Sequence, residues 1–178
     1  MPRVIAISGT PGAGKSVVAM VIGQMLDAIV WNLGDVADQH NLLEADSTGR
    51  DASEVDTDLL EAVLRDEIPR VGSAWLIIEG HYADVVPPEF VTLAVVLRCR
   101  PDVLCARLTA RGYSEAKVKE NVEAEILGVC TYDMQKSDIG DRFVDIDASD
   151  LDPESVASII KSILEDPELA ANYKPGII

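Results

Sequence analysis

Gly9-Thr10-Pro11-Gly12-Ala13-Gly14-Lys15-Ser16 fits the pattern G-x-x-x-x-G-K-[ST] at every fixed position. Chance supplies the full pattern in only about 1% of chains of this length, and the flanks make it more selective. Before it runs Arg3-Val4-Ile5-Ala6-Ile7-Ser8, apolar and β-branched, which predicts a buried strand. After it Ser16 to Leu26 is long enough for a helix. In a strand–loop–helix setting the glycines let backbone N–H groups turn inward around a polyphosphate, and the helix N-terminus adds partial positive charge. The expected cradle is Gly12, Ala13, Gly14, Lys15, Ser16 and Val17. Lys15 reaches the outer phosphates, and the Ser16 hydroxyl is a ligand for Mg²⁺.

Composition narrows the class. The chain has 178 residues, 48% of them hydrophobic, enough for one domain with a core that needs no staples. No apolar run approaches the ~20 residues that span a bilayer. Met1-Pro2-Arg3 leads straight into the first strand, and Cys99, Cys105 and Cys130 have no C-x-x-C spacing. These features predict a cytoplasmic protein with free thiols and no membrane partner. The formal net charge of −16 argues against direct nucleic-acid binding and favours a basic protein partner.

Along the chain, strands are expected at Ala28–Asn32, Ala74–Ile78, Val91–Leu97 and Phe143–Ile146. Helices are expected at Gly34–His40, from Asp56 to near Pro69 with Leu59, Leu60, Val63 and Leu64 on one face, at Pro101–Arg111, and from Asp152 onward. One long helix is expected from Ser114, with Val118, Val122, Ile126 and Val129 at helical spacing. Asn41 to Ser53 reads as a polar loop or insertion, and the tail after Pro167 as loose. Alternating strands and helices give an α/β fold: three layers around a central parallel sheet with right-handed crossovers.

Three further groups carry chemistry. Glu79 ends the strand Trp75–Ile78, on the edge where ligands of such sheets sit, and is a candidate Mg²⁺ ligand with Ser16. His81, two residues on, is a candidate for orienting a phosphate or water. Arg107 and Arg111 lie four apart on one helix face beside Gly112, as mobile cations of a short lid over about residues 110–120. Asn32, Gly34 and Asp35 follow the second strand, where a second nucleotide would dock, with Arg50 as a partner for its phosphate.

With these residues together, the chain resembles the P-loop nucleoside monophosphate kinases, and most the adenylate kinase isoenzyme 6 family shared by archaea and the eukaryotic nucleus. The resemblance covers roughly residues 3–165. It rests on Gly9–Ser16, Asn32-Leu33-Gly34-Asp35-Val36-Ala37, Val55-Asp56-Thr57-Asp58, Ile78-Glu79-Gly80-His81, Val96-Leu97-Arg98, and Arg107-Leu108 through Arg111-Gly112-Tyr113-Ser114. Asn121, Glu125 and Ile126 continue it. It implies a P-loop NTPase fold with a small monophosphate-binding segment at about 32–58. It also implies transfer of a phosphoryl group from ATP to AMP with Mg²⁺ as cofactor, and Lys15, Glu79, His81, Arg107 and Arg111 as catalytic groups. The family is also linked to ATP hydrolysis and to small ribosomal subunit maturation through a basic ribosomal protein. Two positions depart from its pattern: Glu79 stands where aspartate is usual, and Asp38 where a basic residue is usual. A small kinase for CMP, shikimate or dephospho-coenzyme A fits less well, because the Arg-Gly-Tyr block and the Glu-x-His motif argue against it.

Overall fold

The structure is a computed structural model that describes residues 1–45 and 53–174. Five parallel strands form its sheet: β1 (Arg3–Ser8), β2 (Ile29–Asn32), β5 (Trp75–Glu79), β6 (Val91–Arg98) and β7 (Phe143–Asp147), in the order β2-β5-β1-β6-β7. A separate antiparallel pair, β3 (Leu43–Ala45) and β4 (Ser53–Val55), stands outside it. The α-helices are α1 (Lys15–Leu26), α2 (Leu33–Gln39), α3 (Thr57–Glu67), α4 (Pro101–Ala110), α5 (Glu115–Ile126), α6 (Val129–Lys136) and α7 (Pro153–Glu165).

The sheet is buried on both faces, which is why its strands read as unbroken apolar runs. Side-chain alternation divides the core in two. Ile5 and Ile7 of β1, Ile77 of β5 and Val95 and Leu97 of β6 pack under α1, α4 and α7. Val4 and Ala6, Leu76 and Ile78, and Ala94 and Val96 point the other way, against α2, α3 and α6. Helix, sheet and helix thus form the expected three layers. Helix starts follow local chemistry: Asp56, Ser114 and Asp152 each accept a hydrogen bond from the backbone N–H three residues on.

The structure corrects four local expectations. Part of the stretch read as a loop is paired, with Leu43 opposite Val55. The Asp56 N–H also bonds the Leu42 carbonyl, and Leu42 is buried. Leu59 does not join the core face of α3 but is 53% exposed, leaving Leu60 and Leu64 to anchor the helix. In the tail after Pro167, whose residues 175–178 lie outside the described ones, Pro167–Tyr173 forms a 3₁₀ turn with Leu169, Ala170 and Tyr173 against the core.

The fourth correction concerns the long helix after Ser114, which is two helices. Gly128 sits between them at φ 64°, a left-handed conformation that ends α5 and turns the chain into α6. The apolar period through Val129 therefore bridges a break instead of marking one face, and Ile126 and Leu127 are left exposed. Replacing Gly128 with alanine is expected to lower unfolding free energy by about 1–2 kcal/mol, the cost of a Cβ in left-handed backbone. Urea melts of Gly128→Ala beside wild type measure it.

Candidate functional site

Parallel pairing aligns the carboxyl ends of three neighbouring strands. In register, Glu79 of β5 lies beside Ile7 of β1 on one side and Asn32 of β2 on the other. The loop 9–14 leaves β1 at that edge and feeds α1. Its first glycine is obligatory: Gly9 has φ +144°, and a Cβ there would lie 2.6 Å from the Leu97 carbonyl oxygen of β6. The loop therefore presses against the sheet edge before it opens outward.

Within this edge the polar groups satisfy one another. Lys15 Nζ donates to the carbonyls of Gly9 at 2.7 Å and Thr10 at 3.3 Å. Burial lowers the pKa of its ammonium, while the nearby Glu79 carboxylate acts in the opposite sense. The Ser16 hydroxyl donates to Glu79 Oε1 at 2.8 Å. The Asn32 side-chain amide donates to the same oxygen, and its own oxygen accepts from the Asp35 N–H at 3.1 Å as the cap of α2. Glu79 is only 3% exposed, so this carboxylate is held from two directions.

A cavity of about 340 Å³ opens above these groups. Gly12, Gly14, Lys15, Ser16, Val17, Asn32, Gly34, Glu79, His81 and Arg111 all line it, joined by Pro11, Tyr82 and Tyr113, which sequence reasoning did not single out as site residues. A smaller cavity of about 140 Å³ lies on the far side of the loop. Ala13, Arg107 and Pro153 border it, and Gly12, Gly14, Val17 and Arg111 border both cavities.

The two arginines thus part company. Arg107 faces the smaller cavity and donates to the carbonyls of Ala148 and Ser149 at 3.4 and 3.3 Å, so it is not brought into the space above Lys15. Arg111 is exposed between the two cavities, and among the described residues its side chain has no hydrogen-bond or ion-pair partner. The segment expected as a lid, about 110–120, is the tight turn through Gly112 together with the first half of α5. Asp35 holds its backbone bond to Asn32 and is not among the lining residues. Arg50 lies outside the described residues. Asp38 is exposed on α2. Cys99, Cys105 and Cys130 are free thiols, and burial raises the pKa of Cys99 and Cys130.

Behind the loop runs a buried polar network with no counterpart in the motif. Thr10 Oγ1 donates to Glu125 Oε2 at 2.5 Å. Glu125 Oε1 accepts from Arg98 Nε at 2.7 Å and from the Cys99 N–H at 3.1 Å. Arg98 also donates to Thr131, whose hydroxyl donates to Asp145. Thr10 occupies a variable position of the motif, so the pattern itself is silent about it. The available signal was Glu125, a charged residue continuing the apolar series Val118, Val122 along α5.

The His81 and Tyr82 rings meet at a tilt, centroids 3.5 Å apart and planes at 52°. Restricted solvation, then the Lys15 charge, lower its pKa to about 4, so the imidazole is neutral at physiological pH. His81 is nonetheless an exposed residue, which tempers the first effect. With the folded pKa below the unfolded one, stability from this group is present above about pH 6.5 and falls as pH drops toward 4. In proton NMR the His81 ring signals are expected to stay constant from pH 8 to about pH 5.5, with His40→Gln used for assignment. A midpoint near 6.5 would contradict the neutral assignment.

Residues 5–128 match the family described as AAA domain. The chain is 34% identical over 167 residues to a protein named "Putative adenylate kinase" from Methanococcus maripaludis, which covers 91% of this chain and 88% of that one. It is 38% identical over 134 residues to "Adenylate kinase isoenzyme 6 homolog FAP7" of Saccharomyces cerevisiae, covering 75% of this chain and 66% of that one. Among solved structures, shikimate kinase from Acinetobacter baumannii superposes with a TM-score of 0.66 at 15% identity, over 95% of this chain and 96% of that one. A gluconokinase from Sinorhizobium meliloti gives 0.61 at 16% identity, over 96% and 94%. At those identities the likeness shows the fold alone, that of the small P-loop kinases. The sequence relatives go further, and the chain belongs to the adenylate kinase isoenzyme 6 family.

Proposed function

We propose that this protein is a Mg²⁺-dependent nucleoside monophosphate kinase that transfers the γ-phosphoryl group of ATP to AMP, giving two ADP. The observation that carries the reading is the meeting of Lys15, Ser16, Glu79, Asn32, Gly34 and Arg111 around one open cavity. The phosphates of ATP lie on the loop amides, and its nucleoside extends toward the smaller cavity at Val17, Arg107 and Pro153. AMP enters on the side of Asn32, Gly34, His81 and Tyr82. Two phosphates then meet over Lys15 with the attacking oxygen in line.

The residues fit the metal. Ser16 and Glu79 offer hard oxygen donors 2.8 Å apart at the start of α1. Among the described residues no group of three or more His, Cys, Asp or Glu could hold a metal by itself, as suits an ion shared with phosphate oxygens and water. When bound, Mg²⁺ offsets negative charge on the transferring phosphate. Ser16 and Glu79 would hold it and Asn32 would keep Glu79 aimed. Lys15 leaves the Gly9 and Thr10 carbonyls to meet the outer phosphates. Arg111, free of other partners among the described residues, closes over the charge that spreads in the transition state. Neutral His81 orients a phosphate or water without adding charge. No side-chain nucleophile is required. Asp38 leaves α2 without a cation for the acceptor phosphate, and Arg50 is the residue proposed for that contact.

A second reading is an ATPase acting in small ribosomal subunit assembly by binding a basic ribosomal protein. The net charge of −16 supports it. Either activity suits a cytoplasmic protein, and no helix among the described residues is long and apolar enough to cross a membrane.

ADP formation with Mg·ATP separates the two readings. The kinase makes ADP in step with the loss of AMP; an equal rate without AMP leaves only hydrolysis. Lys15→Ala is expected to lower turnover about 100-fold or more in a folded protein. Arg111→Ala is expected to lower kcat about tenfold or more, with the KM for ATP changed less than about threefold, because its contact forms only on closure. Unchanged turnover in the Arg111 variant would remove it from the site.

A further inference from the structure

We infer that Glu125 is a positioning residue for the phosphate loop, acting through the Thr10 hydroxyl. The inference rests on reading that loop as the triphosphate site. Glu125 is 4% exposed and Thr10 2%, so their 2.5 Å bond is shielded from water. The carboxylate already has Arg98 Nε and the Cys99 N–H on its other oxygen. Its charge is therefore compensated by the end of β6, and the bond to Thr10 is what the loop gains. Thr10 is also the residue on which the loop leans from inside: its carbonyl accepts from the Ala13 N–H at 3.0 Å and from Lys15 Nζ at 3.3 Å.

Besides the Ala13 bond inside the loop, two side chains restrain Thr10: Lys15 through its carbonyl and Glu125 through its hydroxyl. The restraint from Lys15 is lost when the ammonium turns to a phosphate. The restraint from Glu125 lies behind the loop, out of the ligand's way, and persists. It keeps the loop amides directed at the phosphates when Lys15 no longer holds the carbonyls. Preorganised donors bind and stabilise charge without reorganising on arrival. Glu125 also lies in the last turn of α5, the helix that follows the Arg111–Ser114 turn. One helix therefore connects the loop to the turn bearing the free arginine.

The test is calorimetry with Mg²⁺ and a nonhydrolysable adenosine triphosphate on wild type, Thr10→Val, Thr10→Ser and Glu125→Asp, with melting temperatures recorded alongside. Valine keeps the shape and removes the hydroxyl. Aspartate keeps a charge for Arg98 but falls one methylene short of Thr10. Valine and aspartate are each expected to weaken triphosphate binding about tenfold, as for loss of a hydrogen bond to a charged group. Serine is expected to restore affinity to within about twofold of wild type. Affinity within twofold of wild type in a folded Thr10→Val variant overturns the inference. So does loss that follows melting temperature alone, without serine rescue. If Thr10→Val does not fold, Glu125→Asp and Thr10→Ser decide by the same criteria. Absence of triphosphate binding in wild type would instead overturn the nucleotide reading itself, a result that no variant can mimic.

Discussion

A parallel sheet covered on both faces leaves its polar chemistry one place to gather, beyond the ends of its strands. Here that constraint decides the site. Asn32 and Glu79 sit where β2 and β5 emerge from the core, and the loop springs from the end of β1 between its neighbours β5 and β6. The tight passage of Gly9 over the Leu97 carbonyl fixes how the loop leaves the sheet. Once it has left, the amides, Lys15 and Ser16 follow in consecutive residues, and the opposing carboxylate arrives by strand register rather than by a flexible arm.

The polar groups of the site pair with one another. Lys15 rests on backbone carbonyls of its own loop, and Ser16 on Glu79. Each partner is the kind of group that a phosphate or a divalent cation replaces, so charge can be exchanged without stranding a buried ion. Arg111 is the exception. Held by nothing among the described residues, it stands between the two cavities, while Arg107, one turn earlier on α4, is fastened to the carbonyls of Ala148 and Ser149.

Much of this was legible from local pattern. β1, the loop and α1 could be placed almost to the residue because an apolar run, glycines and a lysine each limit the backbone strongly. The strand ending at Glu79 was equally plain. What escaped lies in long-range geometry. The 3.6-residue spacing that marks Arg107 and Arg111 as neighbours says nothing of the carbonyls that turn one of them aside. The apolar period through Val129 could not reveal that Gly128 would adopt left-handed backbone. The antiparallel pairing of Leu43–Ala45 with Ser53–Val55 depends on partners across a polar stretch with no alternation to announce it. Thr10 and Glu125 are 115 positions apart, beyond the reach of any periodicity.

The side chain at position 32 illustrates how narrowly such an edge is specified. It donates toward Glu79 and accepts from the first turn of α2 at once. Aspartate would accept from the helix but confront a second carboxylate, and serine is too short to do both. A carboxamide on one methylene is the group that supplies donor and acceptor at this span. Any drift in Glu79 is thereby passed to the helix that opens the neighbouring segment, which makes this single amide a mechanical joint between the two halves of the cleft.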